Sequence, residues 1–321
     1  MYLFRNYKLL FIILFTLNIS LAYTQNCPPE NERKEVKLYQ DDVGIWMESD
    51  YLTMHVGGLF QIDGDYFTNT DEGKSTFVLR RARIFLEGKI YNMFRYLVMG
   101  RWDFWTARVH DVFIETMSPK WAQVRIGYTK TPFGMENLYN DYLWDFTEKS
   151  IGTTNFIQRD TGVQVYGLLW DNLLEYHLGI YNGRFALPDN NNSKDLIGRI
   201  VISPLQNCDF LCGRFEHLFV GASGLLGKET ENITGNQIIT GSGNINGAGI
   251  PFYTFAGTTA APVLQNAQKV MWEVDLEWLY GPYAIRAEYQ NIDWGNISRT
   301  LNAVTVRRPF TVYSWFVQRY L

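Results

Sequence analysis

Val270-Met271-Trp272-Glu273-Val274-Asp275-Leu276-Glu277-Trp278 reads as one strand with two unlike faces. Trp272, Val274, Leu276 and Trp278 fall on one side, and Glu273, Asp275 and Glu277 on the other. A period of two separates residues into surfaces only when the chain is extended. Leu174 to Tyr181 repeats the pattern, with Leu174, Tyr176, Leu178 and Ile180 opposite Glu175, His177, Gly179 and Tyr181. So does Phe94 to Phe104, where Tyr96, Val98, Gly100 and Trp102 oppose Arg95, Leu97, Met99, Arg101 and Asp103. Lipid outside and water inside would produce this in a membrane barrel. A soluble β-sandwich alternates as well, with its apolar face turned to the core. Alternation alone leaves both open.

Connection lengths separate them. Twelve strands are expected, near 52–67, 75–91, 93–104, 109–117, 121–130, 159–170, 173–182, 194–204, 215–227, 268–280, 283–293 and 311–321. On one side they join through tight turns: Tyr91-Asn92, Ser118-Pro119-Lys120, Asp171-Asn172 and Gly281-Pro282. On the other side most connections are long: 131–158, 183–193, 228–267 and 294–310. Short turns at one end and long loops at the other is the outer-membrane arrangement, and a sandwich has no reason to adopt it. The expected fold is therefore all-β, an antiparallel transmembrane β-barrel. The 228–267 loop is rich in Gly and Asn, as an exposed connection would be.

The N-terminus fits this address. Arg5 and Lys8 precede an apolar run from Leu9 to Ile19, and Ser20 and Ala22 stand before an expected cut at Ala22-Tyr23. The run is shorter than the roughly 20 residues a helical span needs. Thr24-Gln25-Asn26 before Cys27 lacks the Leu and small residue of a lipoprotein signal. The expected division is a signal peptide over 1–22, a periplasmic N-terminal segment over 23–50 and the barrel over 51–321. No later run of 18 apolar residues exists, so no membrane helix is expected. The 321-residue chain is 46% hydrophobic and 16% aromatic, which argues against disorder. Loss of residues 1–22 leaves 27 basic and 33 acidic residues, a net charge of -6 that disfavours nucleic acid. Cys208 and Cys212 are close in a periplasmic connection, where a disulfide is expected, with Cys27 left over.

Several segments carry a resemblance when taken in order. They are Phe77-Val78-Leu79-Arg80-Arg81-Ala82-Arg83-Ile84-Phe85-Leu86-Glu87-Gly88, Asp111-Val112-Phe113-Ile114-Glu115 and Arg125-Ile126-Gly127-Tyr128-Thr129-Lys130-Thr131-Pro132-Phe133-Gly134-Met135-Glu136. Arg159 to Val163, Gly179 to Gly183, Ile197 to Arg199, Ala287 to Tyr289 and Phe316 to Gln318 continue the series. Together they resemble the phosphate-selective porin O and P family over about 240 residues. The resemblance implies a barrel typically of sixteen strands in which the third extracellular loop, here 131–158, folds into the lumen. Pro132, Phe133, Gly134 and Glu136 would belong to that constriction. It also implies an anion path of arginines with a lysine at its entrance. Arg81, Arg83, Arg95, Arg101, Arg125 and Arg199 are inward by strand parity, as is Arg286, and Lys130 stands where the loop begins. Arg80 is outward by the same parity. Family members continue beyond the position of Leu321, so a C-terminally truncated member, a split gene or an unusually small barrel is expected.

Guanidinium groups can replace part of an anion's hydration shell. The same arginines can instead brace the wall through the inward acids Asp103, Asp111, Glu115, Asp160, Glu175, Glu273, Asp275, Glu277 and Glu288. No Gly-x-Ser-x-Gly elbow, P-loop, zinc spacing or nucleotide fingerprint occurs, so neither an enzyme nor a cofactor or metal is expected. His55, His110, His177 and His217 are scattered singly and read as polar wall residues. The expected function is a water-filled diffusion channel for small hydrophilic solutes, anions such as phosphate among them. A barrel with a blocked lumen whose long loops act in adhesion is the second reading, and an exported glycan-binding sandwich the third. Expected partners are outer-membrane lipid, the barrel-assembly machinery, the permeating solutes and a homotrimer's other copies.

Overall fold

A computed structural model describes residues 37–40, 44–66, 75–103, 107–140, 149–150, 152–156, 158–183, 191–206, 214–233, 244–245, 250–251, 263–301 and 304–319. The strands are β1 (Lys37–Gln40), β2 (Gly44–Glu48), β3 (Leu52–Asp65), β4 (Thr76–Ile90), β5 (Phe94–Arg101), β6 (Arg108–Thr116), β7 (Gln123–Lys130) and β8 (Arg159–Leu169). There follow β9 (Leu174–Tyr181), β10 (Asp195–Ile202), β11 (Leu218–Ile233), β12 (Asn244–Ile245), β13 (Ile250–Pro251), β14 (Val263–Tyr280), β15 (Tyr283–Leu301) and β16 (Val304–Arg319). β12 and β13 form a separate small hairpin, and the rest form one 14-stranded sheet in chain order. The paired neighbours are antiparallel from β2 through β11 and from β11 to β14, β15 and β16.

The polarity of this sheet is the reverse of a soluble protein's. Phe60, Ile62, Ile84, Val98, Leu178, Ile180, Leu196, Ile200, Leu226, Trp272 and Val274 are exposed. Arg81, Glu115, Arg199, Glu273, Asp275, Arg286 and Glu288, on the other face of the sheet, are buried. A sandwich would bury the first set and expose the second. Apolar residues outside and a charged interior are what lipid around an aqueous lumen requires. Tyr91, Trp121, Trp170, Tyr280 and Tyr283 lie exposed at or beside the tight turns, in the position of an interfacial aromatic girdle. Tyr91 and Asn92 both have positive φ (52° and 53°), as do Asp171 and Asn172 (54° and 69°). That is the backbone of two-residue hairpins that follow strand twist.

Three expectations are corrected here. Residues 37–40 and 44–48, placed in a segment ahead of the barrel, are β1 and β2 of the sheet. They were hidden because neither approaches the ten-residue length of a spanning strand. The long connection over 294–310 does not exist as a loop: β15 runs to Leu301 and β16 begins at Val304, paired along Trp294↔Phe310 to Leu301↔Val304. Much of 228–267 is likewise strand, since β11 extends to Ile233 and β14 starts at Val263. Strand that stands clear of the lipid is wet on both sides, so its sequence need not alternate. Third, Arg80 does not face lipid. The register slips between Gln61 and Ile62, leaving Arg80 as the extra residue of a β-bulge. Its side chain is 13% exposed and lies 4.0 Å from inward Asp63.

Candidate functional site

β7 ends at Lys130, and the chain then turns to pack on the inner wall of β10, β11, β14 and β15. Phe133 is fully buried and meets Phe156 edge-on, ring centres 4.8 Å apart. The two sit among Tyr181, Ile197, Leu225, Met271, Ile292 and Trp294. Burying a phenyl ring contributes about 1.5–3 kcal/mol, so this apolar seat holds both ends of the loop. Gly134 has φ 77°, and a Cβ there would stand 3.1 Å from the Phe156 ring and 3.2 Å from Glu288. Only glycine suits that backbone at that spacing.

Polar bonds complete the anchorage. The Gly134 amide donates to Ser223 Oγ (3.4 Å), and the Glu136 amide donates to Glu288 (3.0 Å). The buried Glu136 carboxylate accepts from the Ser150 amide (2.7 Å) and from the hydroxyls of Ser150 and Thr153. Asn137 Nδ2 donates to the carbonyls of Thr131 (3.1 Å) and Gln158 (3.2 Å), tying the loop's two stems together. A single helical turn, α1 (Met135–Leu138), follows Gly134. Lys130 Nζ donates to the carbonyls of Leu138 (3.2 Å) and Tyr139 (2.7 Å) at its C-terminal end, where a cation is favoured. The Tyr139 hydroxyl donates to Glu277. Burial, reinforced by that carboxylate, raises the Tyr139 hydroxyl above its ordinary range, so it remains a donor.

The arginines expected to line the path each have a partner in the wall. Arg95 Nη1 and Arg125 Nε converge on Glu115 at 2.8 and 2.6 Å, and the Tyr166 hydroxyl joins them at 2.7 Å. Arg95 also reaches Glu87 at 3.2 Å, and Arg125 lies over the rings of Phe113 and Tyr166. Arg83 and Arg101 share Asp103 at 3.4 and 3.7 Å, and Arg81 donates to Gln61. Arg159, beside them, holds Asp111 at 3.1 Å. Arg199 stands apart, on the wall that carries the loop. It donates to Asp275 (2.6 and 3.0 Å), Glu273 (3.1 Å) and Ser223 (2.9 Å). Gly221 makes this possible, because a Cβ there would meet the Asp275 carboxylate at 2.4 Å. Arg286 donates to Glu277 at 2.6 Å, and Lys269 pairs with Asp195 at 2.7 Å.

The structure thus brings Arg95 and Arg125 together, and Arg83 with Arg101, while Arg199 and Lys130 belong to the loop's anchorage. Strand parity points to the acids among these partners. It gives no hint of Ser223, Ser150, Thr153, Asn137 or Tyr166, whose roles arise from where the loop lands. Cys208 and Cys212 lie outside the described residues. Among the described residues, no cluster of side chains could hold a metal ion.

A family model described as phosphate-selective porin O and P matches residues 54–318. No curated protein matches the sequence. Among solved structures, the in-vitro folded OmpT, an outer membrane protein of Vibrio cholerae, is similar with a TM-score of 0.52 and 11% identity, over 87% of this chain and 81% of that one. Its loop L8 deletion mutant is similar to the same degree, TM-score 0.52 and 11% identity, over 84% and 83%. The outer membrane channel DcaP of Acinetobacter baumannii gives a TM-score of 0.37 at 10% identity, over 85% and 98%.

Proposed function

The chain belongs to the phosphate-selective porin O and P family of the bacterial outer membrane, and on that premise we propose that it forms a water-filled diffusion channel for small hydrophilic solutes. The observation that carries the reading is a loop laid against the inner wall and bonded there through Gly134, Glu136 and Tyr139. A loop so anchored narrows a lumen on the side of β10, β11, β14 and β15. The wall of β4 to β7 presents Arg95 and Arg101, which among the described residues keep 38% and 33% of their side chains exposed. These are the guanidiniums a passing anion meets. Anions such as phosphate pass on this reading but are not strongly selected. The carboxylates beside Arg83, Arg95, Arg101, Arg125 and Arg199, and the Gln61 amide beside Arg81, make bracing the first role of those arginines, and a neutralised pair attracts little beyond its own partner. Removal of residues 1–22 on export, insertion by the barrel-assembly machinery and assembly as a homotrimer belong to the same proposal.

Planar-bilayer recording tests it. Folded protein should give discrete, ohmic current steps in about 1 M KCl. Folded protein that inserts without passing current would replace this reading with a blocked barrel.

A further inference from the structure

Beneath the helical turn α1 the wall opens into a cleft. One cavity of about 280 Å3 lies against Leu138, Tyr139, Glu175, Phe219 and Glu277. A second, of about 290 Å3, continues toward the tight-turn end past Asn172, Ser203, Glu216 and His217. Glu175, Val201 and Phe219 line both, so the two are stages of one passage.

Where a solute can touch it, this cleft is acidic. Arg199 lines the upper cavity, yet its side chain is 4% exposed and bonded to Asp275, Glu273 and Ser223. Arg286 is held by Glu277. Among the described residues, neither lysine nor arginine lines the lower cavity. Glu175, by contrast, keeps 47% of its side chain exposed.

The neighbouring His177 orients Glu175. Tyr181 Oη donates to Gln164 Oε1 at 2.7 Å, which turns Gln164 Nε2 toward His177 Nδ1, also at 2.7 Å. On the other side of the ring, His177 Nε2 lies 2.6 Å from Glu175. Glu216 adds a second carboxylate on an exposed turn at the mouth, and Phe219 supplies a ring against which a cation's hydrocarbon can lie.

We infer that this cleft is a subsite for a small aliphatic ammonium ion, held by Glu175, guided by Glu216 and packed on Phe219. The inference rests on the channel reading for its physiological sense, but not for its test. In planar bilayers, 1,4-diaminobutane added on the tight-turn side should reduce the current. The uncharged 1,4-butanediol and inorganic phosphate should not. Glu175→Gln should raise the half-blocking concentration about tenfold, the loss of one charge-assisted contact. Glu216→Gln, on a turn where folding is not at stake, should raise it about threefold. Calorimetric titration of the folded, detergent-solubilised chain with 1,4-diaminobutane reads the subsite without any current. Binding without conductance would leave the subsite standing and remove the channel. Equal affinity in wild type and both variants, no heat of binding, or block by phosphate in place of the diamine would overturn the subsite.

Discussion

Glu115 accepts from three side chains on three different strands, Arg95 on β5, Arg125 on β7 and Tyr166 on β8, while itself on β6 and only 4% exposed. Removing a buried carboxylate that holds two guanidiniums leaves charges with no partner, which costs about 3–5 kcal/mol. Arg95 is more than a third exposed and retains Glu87, so the lower end of that range applies. Glu115→Ala is expected to lose about 3 kcal/mol, and Glu115→Gln, which keeps an acceptor, about 1 kcal/mol. Urea unfolding in detergent, followed by the heat-modifiable band on gels, measures both. Equal midpoints for wild type and Glu115→Ala would show that solvent already screens the cluster. At this scale the sequence is legible where parity is intact: Arg95, Arg125, Glu115, Arg199 and Asp275 all fall on the inward face. It fails at Arg80, because one bulged residue in β4 shifts which side chains point inward and composition carries no mark of the slip.

The 131–158 loop shows what an element adds to its residues. Its stems are joined by Asn137, its apex side is held by Tyr139 on Glu277, and Phe133 and Phe156 fill an apolar seat between them. Deleting residues 137–146 takes away Asn137 and the Tyr139 contact with Glu277 and leaves Phe133 and Phe156 in their seat. Conductance is expected to rise, on the order of twofold, with the barrel still folded. Unchanged conductance in a folded deletion variant would move the constriction elsewhere. The loop's inward course was readable from its family resemblance and from apolar residues that need burial. Its landing place was not, since Ser223 and Glu288 are 89 and 152 residues from the groups they bind. The middle strands were read closely, β9 and β10 differing from expectation by one or two residues at each end, because lipid on one face enforces alternation. The outer ends of β11, β14, β15 and β16 were read as loop for the opposite reason.

Taken whole, the charged interior is unevenly divided. β4 to β7 carry Arg81, Arg83, Arg95, Arg101 and Arg125, whereas β9 to β15 carry Glu175, Asp195, Glu273, Asp275, Glu277 and Glu288 around fewer cations. That contrast could be seen in the sequence only once strand order was known. The height of the sheet is uneven as well. β15 has 19 residues and β14 has 18, while β9 and β10 have 8 each. At about 3.3 Å per residue and a tilt of about 40°, β15 rises roughly 48 Å against an apolar band of roughly 25 Å. Because Gly281 and Pro282 sit at the girdled end, the surplus stands on the cell's outer side. A protease arriving from the medium therefore meets paired backbone where the sequence suggests a floppy strip. Arg299 and Arg307, opposite Val306 and Ser298 in the ladder, should survive trypsin applied to intact cells, as peptide mapping would show. Cleavage at either would mean that the rampart is open on the living surface. If it is closed, whatever approaches this cell from outside, enzyme, antibody or phage, finds a stiff escarpment on one flank and must make its grip elsewhere on the rim.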